Sequence, residues 1–228
     1  MPSTNDQLQL LRQNSRAKIT LALRRCGSMS RTQLAETAGL SVACVGKVVN
    51  ELLQDQELVE VGNSVGQRGR PKSYYDINPE GALVAGVLLS AGSVQIVAAK
   101  RNGEIVSRET LLYKTNDGVP GHMMETIADA IKRRVKDVDA KPYALTGVGV
   151  SVAGMVDPLL GVIQGLTNRR GWEDVPVARI LEDRLGVPVF ADNNARAAAL
   201  HDQWFGSRSG EGGVVYLYVG EGVGGAYI

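Results

Sequence analysis

The sequence predicts an α/β protein in two parts: an N-terminal all-α part ending in a β wing, then a C-terminal lobe on a mixed β-sheet. Three observations carry that prediction. Apolar residues recur at spacings of three and four in three successive segments before residue 55. Near Pro79-Glu80-Gly81 a polar, basic composition gives way to stretches rich in Val, Ala and Gly, which divides the chain into domains 1–80 and 81–228. Beyond that boundary the patterns run βββαβαβα and then β, an order that joins three antiparallel strands to βα crossovers.

The helices of the first part are expected over residues 15–25, 31–38 and 42–54. Ser30 and Ser41 stand where N-caps belong, because their hydroxyls can accept the free amides of a helix's first turn. Gly39 supplies the left-handed backbone that a sharp helix-to-helix turn needs. Strands over 58–61 and 74–77 then flank a loop, 62–73, and form a wing. In the second part, strands over 83–89, 94–100 and 104–112 precede a helix over 122–138, with an Asn102-Gly103 hairpin turn between the second and third. Strand 145–152, helix 176–185, strand 187–191, helix 193–205 and strand 214–219 follow.

The 228 residues, 44% of them hydrophobic, can bury a sizeable core, which excludes a disordered or fibrous chain. No uninterrupted apolar run reaches the roughly eighteen residues of a membrane span, and residues 1–16 lack the apolar middle of a signal peptide. A soluble, cytoplasmic protein is expected. Cys26 and Cys44 have neither zinc-ligand spacing nor the density of a disulfide framework, so two free thiols are expected and no metal. The net charge is only +1, but through Asn78 ten basic residues stand against seven acidic ones. The first domain is the basic one.

Two helices joined by a tight turn, with a wing behind, place the second helix in a DNA major groove and its first residues at base edges. Val45, Val48 and Val49 would pack inward on Leu34 and Ala35. Ser41, Val42, Ala43, Gly46, Lys47 and Asn50 would face DNA, with Val42 and Ala43 suited to thymine methyls and Asn50 to a base or a phosphate. Arg31, at the start of the preceding helix, joins that set. A helical docking module is the plainer alternative. The wing sequence Gln67-Arg68-Gly69-Arg70-Pro71-Lys72 favours DNA, since an extended Arg-Gly-Arg-Pro can enter a narrow A·T-rich minor groove. Arg68, Arg70 and Lys72 complete the candidate DNA contacts.

The run Leu11-Arg12-Gln13-Asn14, Ser30-Arg31-Thr32-Gln33-Leu34-Ala35, Gly39-Leu40-Ser41 and Gly69-Arg70-Pro71 is followed by four further motifs. They are Gly154-Met155-Val156-Asp157, Gly171-Trp172-Glu173-Asp174-Val175-Pro176, Trp204-Phe205-Gly206 and Gly220-Glu221-Gly222-Val223-Gly224-Gly225. Together, in this order, they resemble the ROK family of repressors and sugar kinases. The resemblance implies the actin-like, ribonuclease-H-like fold of sugar kinases for the second domain. It also implies that the chain stops after the first lobe of that domain, with the family's zinc motif and most of its dimer contacts beyond Ile228.

Chemistry separates the family's two branches. The kinases open the helix after the equivalent strand with an Asn-Asp pair whose Asp is the general base, whereas this chain has Asp192-Asn193-Asn194. A carboxamide at Asn194 cannot take a proton near neutral pH, though it can still hydrogen-bond a hydroxyl. Asp192 is the possible substitute base, although at a strand end it would point elsewhere. The kinases' phosphate loops correspond to Leu88-Leu89-Ser90-Ala91-Gly92, without their acid, and to Gly220-Glu221-Gly222-Val223-Gly224, where a Glu replaces a Thr. A carboxylate beside a phosphate site repels nucleotide. Gly220, Gly222 and Gly225 match a dinucleotide fingerprint, but a strand follows them instead of a helix.

No catalytic residue or cofactor is therefore expected. The resemblance carries a sugar or sugar-phosphate site over to Gly154, Asn168, Asn193 and Asn194, with Asn193 alternatively a helix cap. Trp172 offers a sugar-ring platform or a packing side chain. The expected function is a repressor of carbohydrate metabolism, binding a double-stranded operator as a homo-oligomer and answering to a sugar. The rivals are an ATP-dependent sugar kinase carrying a DNA-binding domain and a constitutive DNA-binding fragment.

Overall fold

The structure, a computed structural model, describes residues 4–64, 72–90, 92–113, 120–138, 144–166, 171–205, 213–220 and 222–228. It divides into two compact units, residues 1–81 and 82–228.

The first unit opens with α1 (Thr4–Cys26), which starts about three turns earlier than the apolar spacing predicts. Residues 4–14 contain no Gly or Pro to stop a helix, yet Leu10 and Leu11 are exposed, so no apolar stripe marks this stretch. Two arginines tie α1 to the rest of the unit: Arg12 Nε meets Glu51 Oε2 at 2.8 Å, and Arg16 Nη2 meets Asp55 Oδ2 at 2.7 Å and Glu57 Oε1 at 2.9 Å. A short strand, β1 (Met29–Ser30), leads into α2 (Arg31–Ala38).

Ser30 caps α2 in a reciprocal box, its Oγ accepting from Gln33 N at 3.4 Å while Gln33 Oε1 accepts from Ser30 N at 2.9 Å. Gly39 ends α2 at φ 63° and ψ 42°, the left-handed region that a side chain would strain. Ser41 then caps α3 (Val42–Gln54), its Oγ accepting from Cys44 N at 3.2 Å. β2 (Leu58–Ser64) and β3 (Lys72–Ile77) pair antiparallel from Leu58↔Ile77 to Ser64↔Lys72. The ladder runs further than the expected loop 62–73 allowed, carried across Gly62 by a bulge after Glu60. β1 adds to β3, giving the order β1-β3-β2. Ile19, Leu23, Leu34, Val45, Val49, Leu52, Leu58 and Ile77 form one buried cluster between the helices and this sheet.

In the second unit β4 (Leu83–Ser90), β5 (Ser93–Lys100) and β6 (Ile105–Leu112) form an antiparallel meander, with Gly103 N donating to Lys100 O at 3.0 Å in the Asn102-Gly103 turn. After α4 (Pro120–Lys136), β7 (Leu145–Val152) pairs parallel with β4. β8 (Gly154–Asp157) and β9 (Val162–Leu166) make a hairpin that the sequence pattern does not announce. Both strands are short, and neither alternates clearly between apolar and polar residues. Then come α5 (Val177–Leu185), β10 (Val189–Asn193), α6 (Asn194–Phe205), β11 (Val215–Val219) and β12 (Val223–Tyr227).

The main sheet has the order β10-β7-β4-β5-β6, with β10 and β7 parallel to β4 and the meander antiparallel, and is therefore mixed. The last of the expected strands is β11, which pairs with β12 as a separate hairpin. On the covered face Ala85, Val87 and Leu89 lie beside Val148, Val150 and Val152 under α4 and α5, which contribute Met124, Ile127, Ile131, Val177 and Leu181. Trp172 belongs to that core at 0% exposure, which rules out a sugar-ring platform there. Among the described residues, no helix is long and apolar enough to cross a membrane.

Candidate functional site

In the first unit the exposed side of α3 is the candidate surface. Burial of Val45, Val48, Val49 and Leu52 turns Ser41, Ala43, Lys47 and Asn50 outward, with Val42 56% exposed at the helix start. An apolar side chain so exposed gains little from burial. Ser41 spends its hydroxyl on the cap.

Arg31, the first residue of α2, reaches across to α3: its Nη2 donates to Asn50 Oδ1 at 2.7 Å. Its guanidinium also lies over the Tyr75 ring, 5.2 Å from the centroid. Sequence patterning missed Tyr75, whose only signal is its inward register on β3. Lys72 is exposed at the first position of β3. Arg68 and Arg70 lie outside the described residues.

In the second unit Gly154, Asn193 and Asn194 come together where β8 leaves β7 and α6 leaves β10. Asn193 Nδ2 donates to Gly154 O at 2.9 Å, while its Oδ1 accepts from Ala195 N at 2.9 Å and from Arg196 N at 3.3 Å. The amide of Asn193 is thus a helix cap and an inter-strand clamp, with one N–H left over. Asn194 Oδ1 shares the Ala195 amide at 2.9 Å, and its Nδ2 has no partner among the described residues. Gly154 admits no side chain: a Cβ there would lie 2.4 Å from Gly165 O and 2.9 Å from Leu166 Cδ2. Asn168 lies outside the described residues.

Asp192 accepts from Asn193 N at 2.8 Å through Oδ1, and its Oδ2 pairs with Arg196 Nε at 3.1 Å. Both carboxylate oxygens of Asp192 are thus engaged by donors of its own chain. The segment aligned with a first phosphate loop closes the β4–β5 turn, where the Tyr113 hydroxyl donates to Ser90 O and Tyr113 N to Gly92 O at 3.0 Å. At the glycine-rich segment Gly220 N donates to Gly222 O at 2.9 Å. A Cβ on Gly224 would lie 3.3 Å from Ala195 Cβ, so β12 passes against the first turn of α6. Among the described residues, no cluster of three metal-ligating side chains occurs.

The profile of the ROK family matches residues 84–228. The xylose repressor of Caldicellulosiruptor bescii is 27% identical over 200 residues, covering 88% of this chain and 50% of that protein. The glucokinase of Thermotoga maritima is 31% identical over 146 residues, covering 63% of this chain and 43% of that protein. In three dimensions the chain is similar to a ROK family transcriptional regulator described as a homologue of the Escherichia coli Mlc protein. That likeness has a TM-score of 0.76 at 19% identity over 95% of this chain and 55% of the other. The chain spans about half the length of the curated relatives it matches. The mixed sheet of residues 82–228 fits the actin-like lobe of these proteins.

Proposed function

The chain belongs to the ROK family, and on that premise we propose that it is a transcriptional repressor of carbohydrate metabolism. In this reading residues 1–80 are a winged helix-turn-helix that binds a double-stranded operator. Residues 81–228 contribute to a site for a sugar or sugar phosphate, lined by Gly154, Asn168, Asn193 and Asn194. The protein acts in the cytoplasm as a homo-oligomer, since paired winged helices match a palindromic operator. The sugar regulates by binding one arrangement of those winged helices better than another.

The observation that carries the reading is the division of α3 into a buried valine and leucine face and an exposed face of Ser41, Val42, Ala43, Lys47 and Asn50. The relatives support it in a second way. A match of 200 residues to a xylose repressor cannot fit within residues 82–228 and so extends into the first unit. A match of 146 residues to a glucokinase needs no part of that unit.

That glucokinase match also favours a second reading, a sugar kinase with an attached DNA-binding domain. The site speaks against it: Asn194 stands where the family resemblance puts the base, and the Asp192 carboxylate is occupied by Arg196 and the Asn193 amide. Two measurements decide. Incubated with a pool of random-sequence duplexes, the full chain is expected to enrich one sequence class, and no enrichment overturns the repressor reading. Incubated with ATP and a panel of hexoses and pentoses, it is expected to form no sugar phosphate. Sugar binding by calorimetry separates the regulated repressor from a constitutive DNA-binding chain.

A further inference from the structure

We propose that Arg31 is a positioning residue for Asn50: it retains the amide oxygen, so that Asn50 meets DNA as a hydrogen-bond donor through Nδ2. The identity of the ligand rests on the DNA-binding reading above, whereas the geometry does not.

Arg31 carries its charge at the first position of α2, where the helix dipole already concentrates positive potential and a cation is disfavoured. No carboxylate among the described residues pairs with it. Two other contacts hold it instead. The guanidinium lies 5.2 Å from the centroid of Tyr75, a side chain only 5% exposed, which β3 fixes opposite Met29 of β1. From that platform Nη2 reaches Asn50 Oδ1 at 2.7 Å, while Nε is buried with no hydrogen-bond partner among the described residues. An ammonium is a compact point charge without the planar fork of a guanidinium, so lysine is not equivalent to arginine over a ring and beside an acceptor.

The consequence for Asn50 is chemical. A guanidinium has donors only, so the amide atom facing it must be the oxygen. The amide NH₂ then points away from Arg31 on an exposed residue of α3. The bidentate contact to adenine uses both ends of an amide, the oxygen accepting from N6–H and the nitrogen donating to N7. Here the oxygen is engaged within the protein. What faces outward is a donor, suited to N7 of adenine or guanine, guanine O6, thymine O4 or a phosphate oxygen.

Two measurements on the full chain test this. In ¹⁵N-labelled protein without DNA, the Asn50 Nδ2 group is expected to show a heteronuclear NOE close to that of the rigid backbone, which falls in Arg31→Lys while backbone resonances elsewhere stay in place. A merely structural Arg31 would instead shift the backbone or the melting temperature and leave that amide ordered. With random-sequence duplexes, Arg31→Lys and Asn50→Ala are each expected to lose about tenfold in affinity, the scale of one base contact. The double variant should bind no more weakly than Asn50→Ala. Loss confined to one base pair identifies a base acceptor, and loss uniform across sequences a phosphate; either upholds the proposal. A mobile Asn50 side-chain amide in the unaltered chain, or losses that multiply in the double variant, would each overturn it. If the unaltered chain enriches no sequence, the DNA reading fails, and the amide spectra still decide the role of Arg31.

Discussion

Asn193 Nδ2 donates to the carbonyl of Gly154 at 2.9 Å, so one side chain that caps α6 also pins the first residue of the β8–β9 hairpin. A ligand contacting either residue would therefore act on both. Asn193→Ala loses the cap and the clamp together and is expected to cost about 1–2 kcal/mol, the upper range for a cap. Asn193→Asp restores an acceptor for Ala195 N but sets a carboxylate oxygen against the Gly154 carbonyl. In urea unfolding it should fall between Asn193→Ala and the unaltered chain only if the cap dominates. A stability below that of Asn193→Ala would make the clamp the larger effect.

Gly154 is fixed by backbone on the other side. Gly154→Ala puts a methyl 2.4 Å from Gly165 O, which cannot yield without opening the β8–β9 ladder. The expected cost is about 1–3 kcal/mol, as for other overpacked sites. Gly149→Ala on β7 is the control: its added Cβ meets nothing within 4 Å, so its unfolding midpoint should not fall. Equal losses in both variants would mean that strand glycines as a class, and not this close approach, set the cost.

The first unit was legible because its signals are local. Ser30, Gly39 and Ser41 punctuate α2 and α3, and the valines at spacing three mark the buried side of α3. The early turns of α1 carry no such stripe, and the ion pairs of Arg12 and Arg16 with residues some forty positions away leave no pattern in the chain. In the second unit the mixed sheet followed from the order of elements. The β8–β9 hairpin and the pairing of β11 with β12 did not, because strand partners are chosen by tertiary packing. At the candidate site, sequence could name Asn193 and Gly154 by resemblance, but not that each holds the other. Nor could it choose between core and ligand for Trp172, since both uses need an aromatic ring.

The two faces of α3 should separate stability from binding. Leu52 is fully buried, and Leu52→Ala is expected to destabilise the first unit by about 2–5 kcal/mol. Val42, 56% exposed, makes no such contribution, so Val42→Ser should change stability by less than about 0.5 kcal/mol. Its effect should instead appear in binding to selected duplexes, through loss of an apolar contact. A large fall in melting temperature for Val42→Ser would contradict this division.

Between α4 and α5 the Arg184 guanidinium donates to Glu125 Oε1 at 2.8 Å, and this bond, with the attraction behind it, holds the Glu125 carboxyl below the usual range for glutamate. A folded-state value below the unfolded one gives stability that is complete above the unfolded value. It is lost as pH falls through the folded one. The melting temperature should accordingly decline on acidification through the carboxylate range, and Glu125→Gln should remove part of that decline while lowering stability near neutral pH. A decline unchanged in Glu125→Gln would assign it to other carboxylates.

Lys47 and Arg70 should fail differently if one meets phosphate and the other a groove. Each phosphate neutralised releases condensed counterions, so Lys47→Ala should weaken binding to every duplex alike and reduce the slope of log K against log salt by about one. An arginine in a narrow minor groove responds to the stronger potential of A·T tracts, and that potential varies with sequence. Arg70→Ala should then cost more on an A·T-rich flank than on a G·C-rich one, narrowing the preference between them. Fluorescence anisotropy on two duplexes differing only in the flank, at several salt concentrations, measures both quantities. Equal loss on the two flanks would make Arg70 a phosphate contact, and unchanged affinity in both variants would remove the winged helix-turn-helix from the account of this chain.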